Sequence, residues 1–296
     1  MSRSIHWLRV STCGCGMLAA AGLLLSGCAQ QPAAPTPASQ TAAPTQPPAS
    51  APASSASPAP AAPQSTTQAI DPGIIETLDR MGSYLRSLKS FELQTTSDTD
   101  VILANDQLVQ FSRWSTLKVR RPDALRADIR DDGGDRKILY LDGKTATLFD
   151  PANKFYATVN APGTIADTVK LLAQRYGIEL PVADLFYWDS NKTDTSTIQS
   201  ADFLGDAEID GKTTTHFAVR QPGVDWQIWV ERGASPLPRK LVITSTSDPA
   251  RPQHSVLLRW NLSPKFGAGD FTFKAPPGAH RIVIQNADGK VETPGN

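Results

Sequence analysis

Four histidines, three cysteines and a short run of aspartates are where this chain could do chemistry. A zinc protease needs two histidines one helical turn apart with a glutamate beside the first, and a thiol redox centre needs two cysteines separated by two residues. A serine esterase needs a Gly-x-Ser-x-Gly elbow, and a phosphate-cradling loop needs Gly-x-x-x-x-Gly-Lys followed by Ser or Thr. The sequence contains none of these. His216 and His254 fall in predicted strands at positions of polar parity, where a histidine serves as a solvated or cross-strand hydrogen-bonding group, and His280 falls in a terminal loop. Asp128, Asp131, Asp132 and Asp135 form an acidic cluster, but their spacing does not match a calcium loop. Alternate carboxylates beside Gly133-Gly134 read as the polar tip of a hairpin. The expectation is therefore a protein that is not an enzyme, with no catalytic residue, no metal and no cofactor.

Charge and composition narrow the classes further. Basic and acidic residues balance at 29 each, so nothing favours a polyanionic partner, and no nucleic acid is expected. Residues 1–9 carry Arg3 and Arg9 without an acid, and an apolar run from Val10 to Leu25 follows. That pattern predicts a secretory signal, too short in its apolar part for the roughly 20 residues of a membrane-spanning helix. It ends in Leu25-Ser26-Gly27-Cys28, which resembles the lipobox of bacterial lipoproteins. The resemblance implies cleavage before Cys28, a diacylglyceryl group on the Cys28 thiol and acylation of its new amino group. Two or three chains suffice for stable anchoring. Ala29 follows where an aspartate would resemble an inner-membrane retention signal, so the outer membrane is favoured over the inner. Cys13 and Cys15 lie in the segment predicted to be removed, leaving Cys28 without a partner in its own chain.

No Asp, Glu, Lys or Arg occurs from Val10 to Ile70, and residues 29–69 are almost wholly Ala, Pro, Ser, Thr and Gln. Such a composition cannot bury enough apolar surface to offset its ordering entropy, so a disordered tether is predicted over residues 28–69. Residues 70–288 read as one domain and residues 289–296 as a flexible tail.

Within the domain, Asp71-Pro72 forms an N-cap and first-turn pair, and Ile74, Leu78, Met81, Leu85 and Leu88 repeat at helical spacing. The period then changes to two through Phe91, Leu93 and Thr95, then Val101 and Leu103, then Val109, Phe111, Leu117 and Val119. Turn chemistry at Asn105-Asp106, Asp132-Gly133-Gly134, Asp142-Gly143, Pro151-Ala152-Asn153 and Asp210-Gly211 predicts a mostly antiparallel sheet. A second helix is predicted from about Thr164 to Tyr176, with Ile165, Val169, Leu172 and Tyr176 on one stripe and Gly177 at its left-handed end. Pro181–Phe186 reads as a short helical turn. Further strands run through Phe217, Trp226, Leu241, Val256 and, last, Phe271 and Phe273. The fold class is α+β: a strongly curved sheet, an incomplete barrel of about ten strands, wrapped over one or two helices.

Three stretches carry a resemblance to a known family: residues 139–186, the hairpin WQIWVERGASPLPRKLVIT (226–244) and the ending FTFKAPPGAH (271–280). They resemble a bacterial domain-of-unknown-function family of predicted periplasmic proteins, similar in turn to the lipoprotein carriers LolA and LolB and the sensor RseB. The resemblance implies an incomplete antiparallel barrel with helices plugging its open side, and a hydrophobic cavity between them. For LolA and LolB that cavity holds acyl chains. Aromatic residues are concentrated in Phe186-Tyr187-Trp188 and in Trp226 with Trp229, either as core or as the wall of an apolar pocket. The expected lining residues are Val169, Leu172, Phe186 and Trp226, and the expected ligand is a lipid or other hydrophobic molecule. The alternatives are a sensor or protein-interaction module similar to RseB, with an envelope protein as partner, and a hydrolase without a sequence signature.

Overall fold

The computed structural model describes residues 70–183, 186, 196–267 and 269–284. The expected signal, Cys28, the tether, Tyr187, Trp188 and the tail lie outside the described residues.

The first helix, α1 (Pro72–Ser87), begins where its cap chemistry places it: the Asp71 carboxylate accepts a hydrogen bond from the Gly73 amide at 2.8 Å. Ile74, Leu78, Met81 and Leu85 are buried, the residues that helical spacing selects. Six strands follow as a meander: β1 (Ser90–Ile102), β2 (Leu108–Arg120), β3 (Ala124–Asp131), β4 (Arg136–Asp142), β5 (Thr145–Asp150) and β6 (Phe155–Asn160). The second helix, α2 (Ile165–Tyr176), is capped by Thr164, whose hydroxyl accepts from the Asp167 amide at 3.1 Å, and closed by Gly177 in the left-handed conformation. Pro181–Ala183 form a turn continued by the Phe186 amide, which donates to the Ala183 carbonyl at 2.9 Å. A second meander comprises β7 (Ser200–Ile209), β8 (Lys212–Gln221), β9 (Val224–Glu231), β10 (Pro238–Ser245) and β11 (Gln253–Asn261), and a short β12 (His280–Arg281) closes the chain's path.

All twelve strands form one sheet in the order β12-β6-β5-β4-β3-β2-β1-β11-β10-β9-β8-β7. The two meanders meet where β1 pairs with β11, and the β12–β6 pair is parallel whereas the others are antiparallel. Register aligns apolar residues in rows across the strands: Leu93, Leu117, Ala127, Leu139, Leu148 and Ala157 are successive partners from β1 to β6. In the other half, Val256, Leu241, Ile228 and Phe217 do the same from β11 to β8. These rows join the apolar faces of both helices in one buried cluster. A sheet this wide brings both halves onto the same two helices only by curving around them.

Three expectations are corrected. The sheet has twelve strands rather than about ten. Phe271 and Phe273 are not in a strand on the inner face: residues 263–267 and 269–279 form a strap across the convex side. There Phe273 sits between Tyr140, Phe149 and Tyr156, with ring centroids 4.9 to 5.5 Å away. Phe271 is buried beneath the Arg120 guanidinium, and Asp270 pairs with Lys118 at 2.6 Å. The physical reason is composition. Pro264, Pro276 and Pro277 lack the amide a ladder needs, so this segment is held by rings and one ion pair instead. Finally, His280 belongs to β12, where its amide donates to the Lys154 carbonyl at 2.8 Å, rather than to a loop.

Candidate functional site: the concave face and its helical cover

On the concave face, α2 lies over the sheet with Ile165, Val169 and Leu172 buried to 3% exposure or less. Phe186, on the segment after α2, is equally buried, and all belong to the cluster formed with α1 and the sheet. Trp226 stands at the rim of that cluster, half-buried, its indole Nε1 donating to Gln221 Oε1 at 2.8 Å. The Gln221 amide in turn donates to Thr197 Oγ1 at 2.7 Å. The structure therefore brings the four expected residues onto one apolar body, three inside it and one at its edge.

Trp229 is parted from Trp226 by the strand's alternation and lies on the convex side. His216 stacks on it at 3.9 Å, and the Lys240 ammonium sits 4.9 Å from its ring centroid. His216 also hydrogen-bonds Gln227 at 3.1 Å, and burial, with Lys240 nearby, holds its pKa below the ordinary value against the opposing pull of that bond. His254 corrects the expectation of polar parity. Its register with Thr99 and Ile243 places it on the same face as Val256 and Leu258. Its Nδ1 meets Thr99 Oγ1 at 2.8 Å, and burial, then Arg113, lower its pKa, with Asp98 opposing. This end of the concave face is polar, with Thr95, Ser97 and Ser115 buried; Ser115 Oγ has no hydrogen-bond partner among the described residues.

The acidic cluster is dispersed among separate partners. Asp128 takes a two-pronged bond from Arg136 at 2.8 and 2.5 Å, Asp132 accepts from the Ser112 amide, and Asp131 accepts from the Asp135 amide. Asp135 pairs with Lys137 at 2.8 Å. The Arg136 bond holds the Asp128 carboxyl below its usual range.

Arg121 escapes sequence reasoning. It extends the inner-face alternation of Leu117 and Val119 one residue past the end of β2, and its guanidinium carbon lies 5.8 Å from the centre of the Phe186 ring. Its Nε is buried with no hydrogen-bond partner, and burial alone lowers its pKa. A ring face offers a cation about 0.5–2 kcal/mol. Arg121 as a whole is only partly buried, so the group that loses water without a protein partner among the described residues is the enclosed Nε. The only sequence signal for it is parity: an arginine where an apolar residue would extend the row.

A separate open groove of about 780 Å³ lies on the other side of α1, where Glu76, Arg80 and Tyr84 face Gly233 and Pro236. It includes none of the four expected lining residues.

The family model of predicted periplasmic proteins designated DUF2092 matches residues 75–285. The chain belongs to DUF2092. Among solved structures, the DUF2092 chain is similar to the lipoprotein LppX of Mycobacterium tuberculosis, with 14% identity over 66% of this chain and 98% of that one and a TM-score of 0.41. It is also similar to MucB, with 16% identity over 72% and 75% of the two chains and a TM-score of 0.37. A LolA-superfamily protein of Nitrosomonas europaea matches at 12% identity over 67% and 96%, with a TM-score of 0.28. A search of curated proteins finds no match.

Proposed function

We propose that this periplasmic-family protein is a lipid-anchored envelope protein that holds a lipid or acyl chain between the curved sheet and α2, without chemical turnover. Its membrane attachment is the lipidated Cys28, on the periplasmic face of the envelope, with the outer membrane favoured by Ala29. The observation that carries the ligand reading is the apolar body itself. A sheet wide enough to form a barrel is covered on its concave face by two short helices, and α2 contributes chiefly apolar side chains to that cover. Apolar contacts are non-directional, so an acyl chain can replace them without loss of specific bonds. Measured from water, burying a chain of about fourteen methylenes is worth about 11 kcal/mol, against about 1.5–3 kcal/mol for each of Ile165, Val169 and Leu172; a chain drawn from a bilayer starts already buried, so what it makes in the protein must match what those side chains give up. Gly163 and Gly177, both at positive φ, bracket α2 and give the backbone freedom at each end.

A second reading, an envelope interaction module, is favoured by Phe203 and Leu204. Both are more than half exposed beside the bulge of β7, an edge strand of the sheet.

Native mass spectrometry of the protein purified from envelopes, followed by lipid extraction, separates the two. A bound lipid is expected, and Leu172→Trp is expected to reduce its occupancy while shifting stability by less than about 1.5 kcal/mol. Wild-type protein free of lipid, with Leu172→Trp destabilised as an overpacked core would be, refutes the ligand reading and leaves the interaction module.

A further inference from the structure

The ligand reading leaves open what part of the ligand is recognised, and Arg121 addresses that. Its guanidinium is lodged where the end of β2, the start of α2 and Phe186 meet: the Arg121 amide donates to the Lys89 carbonyl at 2.8 Å, and the Ile165 amide donates to the Pro122 carbonyl at 2.9 Å. These bonds fix the backbone on both sides, while the side chain lies against the Phe186 ring with its Nε enclosed and without a hydrogen-bond partner among the described residues. Arg120 likewise lies over a ring, that of Phe271, but on the convex side; others are bound by acids. Arg136, Arg220, Arg232, Arg239, Arg251 and Arg259 each reach a carboxylate of this chain.

Resting on the ligand reading, we propose that Arg121 binds the anionic head of an amphiphile whose chain occupies the apolar body beneath α2. The guanidinium is a planar fork of five donors, matched to the paired oxygens of a carboxylate or a phosphate, and it stays charged even when burial opposes it. Leu117 and Val119 precede it on the same face of β2, and Phe186 flanks it, so a head at Arg121 is continuous with apolar surface for the tail. The ligand class is thus an anionic lipid, either a fatty acid or a phospholipid, rather than a neutral glyceride or sterol.

The test uses the full chain freed of co-purified lipid and two matched probe pairs: cis-parinaric acid against its methyl ester, and dipalmitoyl phosphatidic acid against dipalmitoylglycerol as displacers. The wild-type chain is expected to prefer the charged member of at least one pair by about tenfold or more, as a charge-assisted pair confers. Preference in the first pair alone assigns a carboxylate, and preference in the second assigns a phosphate. Arg121→Gln is expected to bring the charged-to-neutral ratio close to one, and Arg121→Lys to retain part of it. A wild-type chain that binds charged and neutral members alike overturns the assignment while the ligand reading stands. So does an Arg121→Gln variant that weakens both members equally, as a purely structural arginine would. Failure of the wild-type chain to bind any of the four probes overturns the ligand reading as well.

Discussion

His254 shows how the same residue type does different work on the two faces of one sheet. On the concave face it is partnered by Thr99 and feels the charges of Arg113 and, across the sheet, Asp98; on the convex face His216 lies flat against Trp229 beside Lys240. Both have folded-state pKa values below the ordinary histidine value, chiefly through burial. The sign of the linkage follows. Below about pH 6.5 the unfolded chain takes up protons that the folded one resists, so stability is full above that pH and is lost as pH falls into the histidine window. The carboxylates act in the same direction lower down. Asp128, Asp225 and Asp270 are held below their usual range by Arg136, Arg220 and Lys118, so their contribution is lost as pH falls below about 4. The melting temperature is therefore expected to be level above about pH 7 and to fall in two stages on acidification. His254→Gln should shrink the upper stage. A melting temperature unchanged from pH 8 to pH 4.5 contradicts this account.

At the scale of elements, the strap of residues 263–267 and 269–279 is the part whose role is least apparent from its own composition. Phe273→Ala removes the ring that Tyr140, Phe149 and Tyr156 surround. Because Phe273 is only partly buried, the expected loss is about 2 kcal/mol, below the 3–5 kcal/mol of a fully buried phenylalanine. Denaturant unfolding should show a lower midpoint at unchanged slope. The His280 and Ile282 amides, which bond to the Lys154 and Tyr156 carbonyls, should exchange faster, and a loss under about 0.5 kcal/mol with unchanged exchange counts against the strap. The contrast with the rest of the domain explains what could be read from the sequence. Both helices follow from local signals, the Asp71 and Thr164 caps, the apolar stripes and Gly177, which act within a few residues. The hairpins follow likewise, with Asp106 and Asp210 at positive φ in two of the turns. Val169 and Leu172 were legible because a stripe must face a core. Phe271 and Phe273 alternate as a strand would, but the rings around Phe273, and Arg120 over Phe271, lie more than a hundred residues away. Arg121 was illegible for a similar reason: whether a guanidinium has a partner is settled only when distant segments meet around it.

The whole molecule joins two meanders edge to edge, so β1 and β11, far apart in sequence, pair at its centre, while β12 covers the edge of β6. Charge balance gives this body no strong attraction to anionic membranes, so the proposed membrane attachment rests on the amino-terminal sequence. Arg3 and Arg9, the apolar run and Leu25-Ser26-Gly27-Cys28 stand in the order that secretion and lipid attachment require. A single acyl chain holds a protein only marginally, whereas two or three hold it firmly, so attachment should depend on the Cys28 thiol in an all-or-none way. Cys28→Ser is accordingly expected to move the protein from the membrane fraction to the soluble periplasm, or to leave the unprocessed chain behind, with the domain's melting temperature unchanged. Intact-mass measurement of the wild-type chain should show a new terminus at Cys28 carrying acyl groups. Wild-type and Cys28→Ser proteins that fractionate identically and share the same terminal mass would place the anchor elsewhere, and any lipid found beneath α2 would then need a route of delivery independent of a tethered domain.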